Sequence, residues 1–367
     1  MNALMHVAAA VLLAAGNEPA AVRLACERPD PAELVTRIAF GSCAQQERAQ
    51  PIWHVIADAE PDVFIFLGDN IYGDSDDAEV LRAKYAKLAA MPGLRRMCAE
   101  GTGVLATWDD HDFGRNDAGA EYPSKEASQR VFVDFFGTPA GAGPRTRPGV
   151  YDSVMLGPEG FRVQVILLDT RTFRTPLAEK GSWGEAERAL GIPGPYAPVT
   201  DSSATLLGEA QWEWLRERLA EPASLRVIAS SVQVASEEHC FEKWMNFPAE
   251  RDRLIRLIND SRAGGVVFIS GDRHHAEISR LADAGPPPAI DPRYPLFDVT
   301  SSALNQTKGW GNELNRHRLG STFHEENFGL IEIDWSAEDP ALSLEIRDVR
   351  GRTVIRRRVP FSELSAR

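Results

Sequence analysis

Val63-Phe64-Ile65-Phe66-Leu67-Gly68-Asp69-Asn70-Ile71-Tyr72 joins an unbroken apolar, β-prone run to a glycine, a carboxylate and a phenol. The run lacks the apolar/polar alternation of a half-buried strand, which fits a strand covered on both faces. The same grammar recurs outward in both directions. Val35–Phe40 runs into Gly41-Ser42-Cys43, and Val104–Trp108 into Asp109-Asp110-His111-Asp112. Val163–Leu168 runs into Asp169-Thr170-Arg171, Val227–Ser231 into Val232-Gln233, and Val266–Ser270 into Gly271-Asp272-Arg273-His274-His275. Helical patterns lie between them at Pro51–Ala59, Ala78–Ala90, Lys125–Phe136, Leu206–Leu219 and Pro248–Asn259. Strand-helix alternation of this kind predicts an α/β sandwich. Toward the end, Leu296–Thr300, Phe328–Trp335, Leu342–Val349 and Arg352–Val359 read as successive strands, expected to form a second, more antiparallel sheet packed on the first.

In an α/β fold, ligands gather at the carboxyl ends of strands, where these polar clusters stand. Asp69 can bridge two cations with its two oxygens. Tyr72 returns to the same point if a helical turn follows, and a phenolate suits a ferric ion. Without further context the same residues read equally as a capping Asp and a half-buried Tyr. Asp109, Asp110 and Asp112 around His111 repel one another unless cations neutralise them, and Asn116 and Asp117 extend that shell. Asp272 and His274 share a side if their segment is extended. Cys43 is a ligand if it is a thiolate and a packed hydrophobe otherwise.

The chain of 367 residues carries a net charge of −13, which disfavours a broad electrostatic grip on nucleic acid. It does not exclude an anionic substrate, because bound cations reverse the local field. The cysteines, Cys26, Cys43, Cys98 and Cys240, form no zinc-type pair. Apart from Cys43, they read as buried thiols, with one disulfide if the protein is exported. The apolar segment Met1–Gly16 resembles a signal peptide, although it has no Lys or Arg, and predicts a secreted or periplasmic protein. No stretch reaches transmembrane length.

Together, GSC, GDNIYGD, TWDDHDFGRND, LLDTRTFR, LLGEAQWEWL, KWMNFPAER and GDRHH, in this order over roughly residues 35 to 280, resemble the PhoD-like (alkaline phosphatase D) family of the calcineurin-like metallophosphoesterases. The resemblance implies a four-layer α/β/β/α sandwich of two mixed β-sheets flanked by helices. It implies one such domain over 35–360, without the N-terminal β-sandwich domain of better-known members. Set against the superfamily pattern, Cys43, Asp110 and Asp272 take the places of a ligand Asp, Asn and His, and Gln233 lies near the place of a strand-end His. One metal would then see Cys43, Asp69, Tyr72 and His274, a set suited to Fe³⁺. The other would see Asp69, Asp110 and Asp272, suited to Ca²⁺, or to Mg²⁺ or Mn²⁺. Asp109 and Asn116 complete the candidate ligands.

The expected reaction is hydrolysis of a phosphate ester by a metal-bound hydroxide, with no covalent protein nucleophile. His111 would protonate the leaving oxygen, and Arg273 or Arg115 would brace phosphate oxygens. Trp244 either lines the substrate cleft or packs in the core. The partner is a small-molecule phosphate ester or a phospholipid or polymer phosphodiester, acted on by a monomer. Two other readings compete. A non-catalytic calcium-binding surface module has little use for His111. An iron-dependent redox enzyme would usually show two His and one carboxylate rather than this carboxylate-rich set.

Overall fold

The apolar runs become strands whose alternate residues face two different cores. In β2 (Val63–Leu67), Val63, Ile65 and Leu67 point into a core between two sheets, while Phe64 and Phe66 point outward under helices. That double burial removes the alternation from the sequence. The computed structural model describes residues 22–181, 194–282, 290–307 and 313–365. The segment Met1–Gly16, read above as a leader, lies outside them.

The first sheet joins β2 to β1 (Arg37–Gly41) and β3 (Gly103–Thr107), all parallel. The second is built around β5 (Val163–Leu167), β8 (Leu225–Ser230) and β9 (Val266–Ser270), also parallel, with β4 (Asp152–Leu156) antiparallel at one edge. A short ribbon, β6 (Ala178–Glu179) with β7 (Tyr196–Ala197), stands apart from both. β10 (Ala276–Leu281) and β11 (Leu296–Ser301) complete the second sheet.

The last three strands correct the expectation of a separate C-terminal sheet. β12 (Asn327–Asp334), β13 (Ala341–Asp348) and β14 (Thr353–Pro360) form an antiparallel meander that extends the first sheet through β12 and β1, in the order β14-β13-β12-β1-β2-β3. Each sheet therefore has six strands, and the first draws on both ends of the chain. The helices Ile52–Asp58, Ala78–Ala89, Pro92–Ala99 and Lys125–Phe135 cover the outer face of the first sheet, and Gly208–Leu219 and Pro248–Ser261 cover the second. The result is the four-layer α/β/β/α sandwich.

A disulfide between Cys26 and Cys98 ties the N-terminal segment to the helix Pro92–Ala99. The same segment bonds to β3, where the Val104 amide donates to the Glu27 carbonyl at 2.8 Å. Cys43 and Cys240 are free and buried. Among the described residues, no helix is long and apolar enough to cross a membrane.

Candidate metal centre

The carboxyl ends of β1, β2, β3 and β9 deliver their turns to one place between the sheets. The backbone there is unusual. Cys43, Asp69, Asp272 and His274, none of them glycine, have φ of 62°, 50°, 66° and 56°. Left-handed backbone at a non-glycine residue costs on the order of 1–3 kcal/mol and persists only where the surroundings enforce it. No helical turn follows Asp69, contrary to the route expected for Tyr72. The left-handed residue turns the chain instead, and the Tyr72 amide donates to Gln46 Oε1 at 2.8 Å. Likewise 272–274 is bent rather than extended, yet His274 still arrives beside Tyr72. Gly68 is needed for close approach: a Cβ there would lie 2.5 Å from that of Asp109.

Asp112 locks two of the turns together. Its buried carboxylate accepts from the amides of Asn70 and Asp109, at 3.1 and 3.2 Å, and from Tyr85 Oη at 2.8 Å. Sequence reasoning saw only its charge. This acid serves the backbone of the site.

Cys43, Asp69 and His274 offer ligand atoms within 4.8 Å of one another, and Asp69, Asp110 and His111 form a second such group. The Cys43 thiol donates to Asp69 Oδ2 at 3.4 Å. Tyr72 Oη stands 3.1 Å from His274 Nε2, so the phenol belongs with the first group. Asp69 is common to both groups and completely buried, and its Oδ1 has no hydrogen-bond partner. A buried acceptor left in that state costs about 1–3 kcal/mol, more when charged. A cation is the partner that such a donor set fits.

The electrostatics agree. Burial, reinforced by Asp110 and Asp109 against the pull of His111, pushes the Asp69 carboxyl well above the usual range. Burial and the Asp69 charge push the Cys43 thiol up, and burial with Cys43 does the same to the Tyr72 phenol. Asp110 goes the other way. Burial opposes its ionisation, but Arg171, His111 and the Asp117 amide outweigh it and hold the carboxyl down at about 2. His111 bonds Asp74 Oδ1 through Nδ1 at 2.6 Å and packs its ring 4.2 Å from that of Tyr72. Burial lowers its basicity, but Asp69, Asp110 and Asp74 push it up to about 11. Several acids in one dry place favour cations between them.

The remaining candidates scatter. Asp272 joins neither group, although its charge acts on both Cys43 and Asp109. The Asp109 carboxylate accepts from Ser231 Oγ at 2.7 Å and from Arg171 Nε at 2.5 Å, both at Oδ1, while its buried Oδ2, like Oδ1 of Asp69, has no hydrogen-bond partner. Arg273 is buried, paired with Glu313 and Asp272, and lies 4.2 Å over the Phe241 ring. Arg115 and Asn116 are exposed beside His111 on a cavity of about 430 Å³ that Asp74 and Asp76 also line. Trp244 does not line the cleft. It is 0 % exposed in the helix-covered core of the second sheet, and its Nε1 donates to Ser230 Oγ at 3.0 Å. Gln233 faces a polar network, donating to Glu277 at 2.8 Å and Thr300 at 2.9 Å. Arg171, Glu242 and Asp74 had no assigned role in the sequence. The only hint was that LLDTRTFR follows a buried strand.

The fold and its parts have counterparts. A family model for PhoD-like phosphatase matches residues 38–339. Alkaline phosphatase D of Bacillus subtilis (strain 168) is 26 % identical over 281 residues, which are 66 % of this chain and 46 % of that protein, so the match spans less than half of the relative. Among solved structures, one of PhoD superposes with a TM-score of 0.65 at 18 % identity, covering 89 % of this chain and 73 % of the other. A purple acid phosphatase from yellow lupin seeds (Lupinus luteus) gives 0.59 at 12 % identity, covering 91 % and 55 %. A dimetal phosphatase from Danio rerio gives 0.51 at 13 % identity, covering 90 % and 100 %. Structural likeness at such identities carries the fold alone, but the family model spans most of the strands and every turn of the centre. The chain belongs to the PhoD-like phosphatase family.

Proposed function

We propose that this chain hydrolyses phosphate esters at a binuclear metal centre and works outside the cytoplasm. The observation that carries the reading is Asp69, a buried carboxylate shared by two groups of ligand atoms, with one oxygen lacking any hydrogen-bond partner. In this reading Cys43, Asp69, Tyr72 and His274 hold Fe³⁺, and Asp69, Asp110 and Asp272 hold Ca²⁺, with Mg²⁺ or Mn²⁺ as substitutes. When bound, two cations neutralise the phosphoryl charge and acidify water. His111 donates a proton to the leaving oxygen. Its Nδ1 is taken by Asp74, which leaves Nε2 for that task. We assign Arg273 to holding Asp272 through their 3.3 Å contact rather than to a phosphate. Arg115, exposed beside His111, is the candidate for substrate contact. The Cys26–Cys98 disulfide supports a secreted or periplasmic location, because such bonds persist in oxidising compartments.

The test is metal analysis of the pure protein together with assays on p-nitrophenyl phosphate and bis-p-nitrophenyl phosphate between about pH 6 and 10, a window around the pKa near 7 of metal-bound water. A fully metallated protein that cleaves neither ester would end the reading. Cleavage of the second ester but not the first would assign it to diesters.

A further inference from the structure

The chain leaving β11 carries Ser302, which is 0 % exposed and touches two residues of the first ligand group. Its Oγ lies 3.2 Å from Cys43 Sγ and accepts from the His274 amide at 2.8 Å. Cys43 comes from the turn after β1 in the first sheet, and His274 from the turn after β9 in the second. Ser302 therefore stands where the two sheets deliver one group of ligands. Its backbone is tied to the same two turns. The Ser302 amide donates to the His275 carbonyl at 3.2 Å, and the amides of Leu304 and Asn305 donate to the carbonyls of Ser42 and Cys43 at 3.0 and 3.3 Å. Nothing in the sequence marked Ser302, because it is an uncharged residue whose neighbours are set by two distant segments.

A serine hydroxyl has one proton to give and two lone pairs with which to accept. The His274 amide can only donate, so it occupies a lone pair. That leaves the Ser302 proton for Cys43 Sγ, the other partner of the hydroxyl. Ser42 Oγ is also in reach of the sulfur, at 3.5 Å, but its proton goes to the Ser301 carbonyl at 3.4 Å. The Cys43 thiol places its own proton on Asp69 Oδ2 at 3.4 Å. A cation held at Asp69 displaces that proton, since the thiolate is the ligand form. The sulfur then only accepts, and a hydrogen bond to an ionised acceptor is stronger than one between neutral groups.

We propose that Ser302 is a positioning residue for the metal group of Cys43 and His274: as acceptor it fixes the His274 backbone, and as donor it gives its one proton to Cys43 Sγ and so sets how strongly the sulfur donates to a bound metal. It touches ligands and not substrate. Hydrogen bonds to a ligating sulfur draw electron density from it and tune the metal behind it. Ser302 has this role only on the reading of Cys43 and His274 as ligands made under the proposed function, but it has it whichever metal is bound and whichever ester is cleaved.

The experiment loads the full chain with Co²⁺ and records its thiolate-to-cobalt charge-transfer band. Ser302→Ala removes the donor and leaves a more electron-rich sulfur, so the band should move to longer wavelength. The same variant should bind Co²⁺ about 10–100-fold more weakly, the range for a lost support of a metal ligand. Ser302→Thr, which keeps the hydroxyl, should return both band and affinity toward the wild type. Ser42→Ala should leave the band in place, and it decides the donor even where Ser302→Ala folds poorly. A folded Ser302→Ala with an unmoved band overturns the proposal, even if its affinity falls, because packing alone would then explain the loss. A Ser302→Thr band shifted as far as that of Ser302→Ala, or a Ser42→Ala band moved to longer wavelength, overturns it too. A Co²⁺-loaded wild type with no sulfur band removes Cys43 as a ligand and takes the proposal with it. A metallated wild type that shows the band yet cleaves no ester counts against the phosphoesterase reading only.

Discussion

Replacing both Cys26 and Cys98 by serine opens a loop with a sequence separation of 72. Loop-closure entropy for that length is worth about 4.4 kcal/mol at 25 °C. Unfolding entropy near 2.1 cal/mol/K per residue, over the 367 residues of the chain, converts this into a melting-temperature loss of roughly 5–6 °C. The N-terminal segment stays partly anchored by the Leu24 amide on the Phe135 carbonyl and by the Val104–Glu27 bond, both 2.8 Å, so the loss should not exceed that figure greatly. The assay is a thermal melt of wild type and variant, each with and without reductant. Reductant should lower the wild type to the variant's value and leave the variant unmoved. Thiol titration in denaturant should find two thiols in the oxidised wild type, from Cys43 and Cys240. Turnover at 25 °C should be unchanged, since neither cysteine of the bridge is among the site residues. Four titratable thiols in protein purified from an oxidising compartment, or melts that coincide within a degree, would refute the reasoning. They would also remove the main support for export.

Other consequences can be checked at the centre itself. Tyr72→Phe should abolish the phenolate-to-iron charge-transfer band expected of the pure protein; a colourless, iron-free and fully active wild type would contradict the iron assignment. His111→Ala should keep its metal content and lose turnover by roughly 10²–10⁴-fold, most for poor leaving groups. An equal loss for all leaving groups would assign His111 to positioning. Asp272→Asn should regain activity on added Ca²⁺, whereas Asp69→Asn should not, because both ligand groups share Asp69; metal counts on each variant would check the difference.

Much of this was legible along the chain because each strand carries its own chemistry at its end. VFIFL read as a doubly covered strand, and the glycine after it marked Asp69 as a candidate at the strand end. Cys43, Asp110, His111 and His274 were picked out as candidates in the same way, as polar residues at the ends of buried runs, and the fold brings them near Asp69. Less accessible were features in which two distant segments answer each other. Trp244 looked equally suited to a cleft or a core, since an indole serves either, and only its contact with Ser230 in the packed layer decides. The C-terminal strands were recognisable as strands, but not as partners of β1, because pairing lies in the register Arg37 to Glu332 across the whole chain.

Apolar runs and turn residues thus determined the strands and their polar ends, which depend on local pattern, while the order of the motifs carried the resemblance to the family and, through it, the four layers. Tertiary structure alone decided which acids meet. Asp112 bonds backbone amides, Asp109 meets an arginine, and Asp69 is left facing two groups of ligands. A carboxylate's role depends on the charges and donors within a few ångströms of it, and here those come from segments tens to hundreds of residues away.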